Sequence, residues 1–265
     1  TLDELPDLDY SLLDLEAYSK NHRQIYPDFP DNPMSVMTHE GCAKRESSGP
    51  CSFCSIKARL YFRDPKKFWQ EVSRGVQQYG FNMVKDWGDS LTGNKDYLSR
   101  LIQKRPKELE NLEFSVYNSL ADINQDTIDL LRKLNVRMLF AAVESANDDI
   151  LRSMNKRVTK EEMRRAIRLM ADNSIPLFTS YVLGERGETE VTLEETLKFA
   201  KEIREIADVR VSNGSPMVPL PGSPNFTRLV SRYPELKNQD LFNLRELKEL
   251  WVKAFCPGLP NYEIL

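Results

Sequence analysis

Short apolar runs alternate with longer segments of helical period along most of this chain. The strand-length runs fall at 34–38, 83–87, 113–117, 137–143, 177–183 and 209–216. Between them lie helical patterns near 66–79, 95–105, 125–134, 148–154 with 160–172, and 193–206. In the segment 160–172, Met163, Ala166, Ile167 and Met170 recur at the spacing of one buried face. Thr159 with Glu162 forms a capping box at its start, and Thr192 with Glu195 forms another for the next helix. A final amphipathic pattern near 240–255 turns Leu241, Leu244, Leu247, Leu250 and Trp251 inward.

Repeated strand–helix units predict parallel strands joined by right-handed crossovers. Six such units favour a single α/β domain, a partial (β/α)6 TIM-like barrel, over an open doubly wound sheet. Residues 1–33, rich in Asp and Pro, read as a lead-in with one short helix at most. Residues 34–225 carry the barrel pattern, and 226–265 read as a C-terminal helical extension.

Charge narrows the class. The 265 residues hold 37 basic and 40 acidic side chains, a net charge of −3. That balance argues against a broad nucleic-acid footprint. No apolar stretch approaches the ~20 residues of a membrane span. The acidic start, Thr1-Leu-Asp-Glu-Leu-Pro, lacks a signal-peptide core, so the expected location is the cytoplasm. Four cysteines, three of them clustered, suit metal binding better than a disulfide framework.

Chemistry-bearing residues sit where the predicted strands end, the position at which parallel α/β folds bind ligands. The cysteine loop follows the first strand, Gly88-Asp89-Ser90 the second, and Asn118-Ser119 the third. Glu144-Ser145 follows the fourth, 184–188 the fifth, and Pro219-Leu-Pro-Gly-Ser223 the sixth. Cys42, Cys51 and Cys54 leave a four-coordinate site one ligand short. A [4Fe–4S] cluster with one open iron is the favoured occupant. The alternative is a zinc-stabilised binding protein without redox chemistry, which would want a fourth Cys or His. His39 lies in the first strand, and His22, in the lead-in, reads as solvated. Cys256 reads as a partly buried thiol without a catalytic role.

Each remaining candidate has a plain structural role beside a functional one. Asp89 could accept a ligand ammonium or cap a helix. Glu144 could hold a ribose diol with Ser145, or start a helix. Lys156 could reach a ligand carboxylate or be a surface charge. Gly184 and Gly187 could admit a flat ligand or make an ordinary turn. Neither a Walker sequence nor a dinucleotide fingerprint occurs.

Taken in order, these pieces resemble the radical S-adenosylmethionine (SAM) enzymes across residues 34–225. The matching residues are Cys42…Cys51-Ser-Phe53-Cys54, Gly88-Asp89-Ser90, Val143-Glu144-Ser145, Met154-Asn-Lys156, Val182-Leu-Gly184-Glu-Arg-Gly-Glu188-Thr and Pro219-Leu-Pro-Gly222-Ser. The resemblance implies that the three cysteines hold three irons of a [4Fe–4S] cluster, with SAM on the fourth. It places Phe53, Val182 and Gly184 at the adenine. Gly88, Asp89 and Ser90 would serve the methionyl ammonium, with Asn118 at the end of the next strand. Lys156 would serve the carboxylate, and Glu144 with Ser145 the ribose. The implied chemistry is reductive cleavage of SAM to a 5′-deoxyadenosyl radical that abstracts hydrogen from a substrate. An oxygen-sensitive transferase, such as a methyltransferase, is one reaction class open to it.

Two departures stand out. Eight residues separate Cys42 from Cys51 where the family usually has three, and the glycine turn carries Asp89 instead of Glu. The lead-in looks like the linker of cobalamin-binding members, so cobalamin is expected only if an upstream domain exists. The implied partners are a small-molecule or peptide substrate and an external one-electron reductant such as flavodoxin or ferredoxin. No membrane is expected, and nucleic acid is disfavoured. Tyr117, Tyr181, Asn213 and Met217 are candidates for the substrate side.

Overall fold

The computed structural model describes residues 2–6, 8–56, 59–211, 214–238 and 243–259. The chain divides into two compact units, one of Thr1–Ala43 with Arg59–Phe140, the other of Lys44–Ala58 with Ala141–Leu265.

In the first unit α1 (Leu15–Ile25) precedes β1 (Pro33–Val36). Then follow α2 (Pro65–Tyr79), β2 (Met83–Asp86), α3 (Lys95–Gln103), β3 (Glu113–Tyr117), α4 (Gln125–Lys133) and β4 (Val136–Phe140). The four strands pair in parallel in chain order, with Met34 opposite Val84 and Val84 opposite Phe114. That row faces the helices. Met34 lies against Gly75 of α2, and Phe114 packs edge-on against Trp69 at 5.8 Å between ring centroids. Apolar side chains at helical spacing close this layer, including Phe68, Val72, Leu98 and Leu101. A two-residue antiparallel ladder joins His39–Glu40 to Tyr61–Phe62.

The second unit contains α5 (Asp148–Ser153), α6 (Lys160–Asp172), β5 (Leu177–Thr179), α7 (Glu190–Ile206), β6 (Val209–Val211), α8 (Pro224–Arg232) and α9 (Leu244–Phe255). β5 and β6 pair in parallel, as do Val182–Leu183 and Ser215–Pro216. Met217, Leu229, Leu247, Trp251, Val252 and Cys256 form one core there.

The parallel strand–helix alternation is as the pattern predicts, and 113–117 is matched residue for residue. The strand at 177–183 breaks after Thr179 and resumes at Val182. Of the one at 209–216, Val209–Val211 and Ser215–Pro216 are strands, while Asn213, like Leu241, lies outside the described residues. Helix α6 buries the four expected residues and has the expected box. Helix α7 instead begins at Glu190, capped by a box of Thr189 with Thr192. A threonine with a side-chain acceptor three residues on occurs at either register, Thr189 with Thr192 or Thr192 with Glu195, so pattern alone misplaced it. His22 is buried, not solvated, because Tyr26 packs on it at 4.9 Å. Leu244 is exposed, since it occupies the first turn of α9, before the helix reaches its core.

Candidate functional site

The first unit contributes a tightly hydrogen-bonded turn after β2. Asp86 is buried and accepts from Thr38 N–H at 2.9 Å, Thr38 Oγ1 at 2.6 Å and Gly88 N–H at 3.0 Å. The Thr38 hydroxyl proton is therefore committed to Asp86, which makes His39 Nδ1–H the donor to Thr38 Oγ1 at 2.9 Å. His39 Nε2 is then free to accept from Ser90 N–H at 3.2 Å. Burial holds the imidazole pKa below its ordinary value, in keeping with this neutral tautomer. Gly88 is required here, because a Cβ would stand 2.4 Å from His39 Cε1.

Asp89 does not cap a helix. Its Oδ2 accepts from Gly41 N–H at 3.1 Å, one residue before Cys42. Desolvation raises its pKa, against the pull of His39 and the Gly41 amide. Gly41 itself has φ +91°, and a Cβ there would meet the Arg59 carbonyl at 2.3 Å. Ser90 Oγ donates toward Asn118 Oδ1 at 3.3 Å and Asp122 Oδ2 at 3.2 Å. Asn118 Oδ1 also accepts from Thr92 N–H and Oγ1, while its buried Nδ2 has no partner among the described residues.

In the second unit the long insert before Cys51 is structured. Residues Ala43–Ser48 make a short helix, and Asn155 Nδ2 donates to Ser48 O at 3.2 Å and Pro50 O at 2.8 Å. Lys44 Nζ lies 3.0 Å from Gly49 O and 3.6 Å from Cys51 Sγ. Cys54 N–H donates to Cys51 O at 3.1 Å, a turn with the two cysteines at its ends. Ser52, between them, is buried and fully bonded. Its N–H donates to Met154 O at 2.9 Å, its carbonyl accepts from Asn225 N–H at 2.8 Å, and its Oγ donates to Glu185 Oε2 at 2.8 Å. Asn225 Nδ2 donates to the same oxygen at 2.9 Å. Phe53 lies beside the Lys156 ammonium, 5.7 Å from ring centroid to Nζ.

Glu144 adopts a left-handed backbone, φ +63°. Both Val143 and Glu144 N–H donate to Ser180 O, and Glu144 O accepts from Val182 N–H. Held this way, its buried carboxylate pairs with Lys156 Nζ at 2.9 Å. Lys156 is therefore neither a loose surface charge nor far from Glu144, and the helix cap is Asn147 instead. Ser145 is fully buried, its Oγ accepting from Asn147 N–H and lying 3.3 Å from Thr196 Oγ1.

Gly184 has φ +86° and Gly187 +85°. Glu188 Oε2 accepts from Gly184 N–H at 2.5 Å and from Glu185 N–H at 3.3 Å, and burial pushes the Glu188 pKa up to about 7. Gly184 O accepts from Trp251 Nε1 at 2.8 Å and from Cys256 Sγ at 3.2 Å. Cys256 is thus fully buried and engaged with this loop. Val182 packs against the core beneath. Of the substrate-side candidates, Met217 is core, Tyr181 is buried with an unpartnered hydroxyl among the described residues, and Tyr117 lies in an aromatic stack.

Sequence reasoning missed Ser52, Asp86, Glu185 and Asn225. Ser52 carried a signal through its flanking cysteines, and Glu185 through its flanking glycines. Asn225 had none. The donor set consists of Cys42, Cys51 and Cys54, all half-buried and none in a disulfide. A single zinc ion draws sulfurs to within ~4 Å of one another. Among the described residues no group of three Cys, His, Asp or Glu side chains is gathered around a single point. Cluster ligands bind separate irons, and three reduced thiols with a preformed turn between two of them suit that group.

Residues 36–200 match the family model of the radical SAM superfamily. The chain is 29% identical over 204 residues to an anaerobic magnesium-protoporphyrin IX monomethyl ester cyclase of Rubrivivax gelatinosus, covering 73% of this chain and 34% of that protein. It is 27% identical over 225 residues to a ribosomal protein uS12 methylthiotransferase of Chlorobium luteolum, covering 76% and 50%. Among solved structures, the radical SAM methyltransferase TsrM of Kitasatospora setae superposes with a TM-score of 0.69 at 17% identity, over 91% of this chain and 51% of that one. The fold is shared on that evidence of shape. The chain spans from about a third to half the length of these relatives.

Proposed function

The chain belongs to the radical SAM superfamily, and from that premise we propose that it is the catalytic core of an enzyme that cleaves SAM reductively. The family's cofactors are a [4Fe–4S] cluster and SAM, which supply, when bound, a 5′-deoxyadenosyl radical for hydrogen abstraction. Cys42, Cys51 and Cys54 hold the cluster in this reading. Asp89, with Gly88 and Ser90, takes the methionyl ammonium, and Asn118 lends the unpartnered amide. Glu144 and Lys156 bind the ribose and the carboxylate, exchanging their mutual ion pair for those contacts. The opened backbone at Gly184, with Val182 and Phe53, receives the adenine.

One observation carries this reading: the turn from Cys51 to Cys54 is held in place at Ser52, which is hydrogen-bonded to Met154, Asn225 and Glu185. Preorganised ligands bind with less ordering cost. The relatives are named for work on a porphyrin ester and on a ribosomal protein, so the coarse reading for this chain is a small-molecule or macromolecular substrate. The net charge of −3 disfavours nucleic acid. An external flavodoxin or ferredoxin supplies the electron, in an oxygen-poor cytoplasm. No helix among the described residues is long and apolar enough to cross a membrane.

The test is anaerobic reconstitution. Wild-type protein should take up about four iron atoms, turn brown, and release 5′-deoxyadenosine from SAM on reduction. Replacing any of the three cysteines with Ala should abolish that release. Iron-free protein, or 5′-deoxyadenosine release that survives all three replacements, refutes the assignment.

A further inference from the structure

The face of the first unit's strands opposite the helices carries a cation that no group among the described residues neutralises. Lys85 of β2 is half-buried and directly opposite Ser115 of β3. Its ammonium lies 4.6 Å from the Trp87 ring centroid, 5.4 Å from Tyr26 and 5.6 Å from Phe140. Trp87 stacks on Tyr117 at 5.5 Å and 27°, and Tyr117 on Phe140 at 4.9 Å and 20°. These three rings stand at the ends of β2, β3 and β4, where a parallel sheet opens to ligands. Trp87 is 44% exposed, whereas Trp69 and Trp251 are buried.

Two polar groups on this face lack partners among the described residues. Lys85 makes no hydrogen bond or ion pair, only ring contacts. Ser115 is 1% exposed, and its Oγ is unsatisfied. Ring faces attract a cation but leave its three N–H donors without acceptors. Partial burial without a carboxylate is costly, and desolvation lowers the Lys85 pKa accordingly. A bound anion would satisfy the ammonium and the hydroxyl together, and the adjoining ring stack would take a flat body.

We propose that Lys85, Ser115, Trp87, Tyr117 and Phe140 form a subsite for a substrate whose carboxylate is attached to a flat, conjugated body. That the occupant is a substrate rests on the radical SAM reading; that a flat carboxylate binds does not. The probe is 2-naphthoate, compared with neutral 2-naphthamide, titrated by calorimetry into reconstituted protein, with quenching of Trp87 fluorescence as a second readout. Wild-type protein should bind the carboxylate about tenfold more tightly than the amide. Lys85→Met should erase that preference while still binding the amide, and Lys85→Arg should keep it. Trp87→Leu should weaken both ligands. Circular dichroism establishes that each variant is folded. Equal binding of the two probes, no binding of either at millimolar concentration, or a preference unchanged in Lys85→Met overturns the subsite. Absence of iron or of SAM cleavage would overturn the radical reading instead, and neither measurement enters the naphthoate comparison.

Discussion

The buried carboxylate of Glu185 accepts a hydrogen bond from Ser52 Oγ at 2.8 Å, across 133 residues of sequence. Asn225 Nδ2 donates to the same oxygen, so one carboxylate oxygen ties the loop after the fifth strand segment to the cysteine turn and to α8. Ser52→Ala leaves a fully buried acceptor short of a donor and should cost about 1–3 kcal/mol. Denaturant unfolding of the iron-free protein measures this. The reconstituted variant should also lose iron faster to a chelator. A variant as stable and iron-retentive as wild type would show that the clamp does nothing.

Glu188 sets a pH dependence of known sign. Its folded pKa of about 7 lies above the ordinary glutamate value, so between those values the folded state binds more protons than the unfolded one. Its contribution is therefore fully present at low pH and is lost as pH rises toward 7. The span amounts to roughly 3 kcal/mol at most. Glu188→Gln should remove this component. The variant-minus-wild-type stability should grow more favourable from pH 5 to pH 7.5, as read by urea unfolding, and a flat difference would refute the account.

The four cysteines should separate by reactivity. Cys42, Cys51 and Cys54 are half-buried, while Cys256 is buried, bonded to the Gly184 carbonyl, and pushed up to about 12. Iron-free native protein treated with Ellman's reagent should release three equivalents quickly and the fourth only on unfolding. Four fast equivalents would contradict the burial of Cys256.

Gly88→Ala tests the fit of the turn after β2. The new Cβ would overlap His39, which is fixed through both ring nitrogens. Overpacking of this kind costs about 1–3 kcal/mol. It should also weaken SAM binding, since Asp89 is the next residue. Thermal unfolding and SAM titration would reveal an unaffected variant if the turn can give way.

Lys156→Met strands Glu144, whose side chain is 7% exposed. Removing one partner of such a pair costs up to about 3–5 kcal/mol when burial is complete, and less here because Lys156 is 21% exposed. If the pair yields to SAM as proposed, the variant should also weaken SAM binding, whereas a purely structural pair would change stability alone.

Alternating apolar runs and helical periods were enough to lay out the strand–helix repeat, and the four-residue buried face of α6 was visible in spacing alone. Periodicity reports one element at a time, which is why the break after Thr179 was invisible to it. The cysteine motif and its neighbours at successive strand ends were equally legible, because those residue types are rare and their order is informative.

What no local pattern could supply is the set of partners made by residues distant in sequence. Lys156 looked like surface until the left-handed turn at Glu144 presented a carboxylate. Ser52, Glu185 and Asn225 meet from three separate segments, and Lys85 faces rings from three strands and a helix end. Element identity follows from short-range sterics and the spacing of apolar side chains, which the chain carries everywhere along its length. Which buried charge finds a partner, and which is left waiting for one, depends on packing, and packing exists only once the chain has closed on itself.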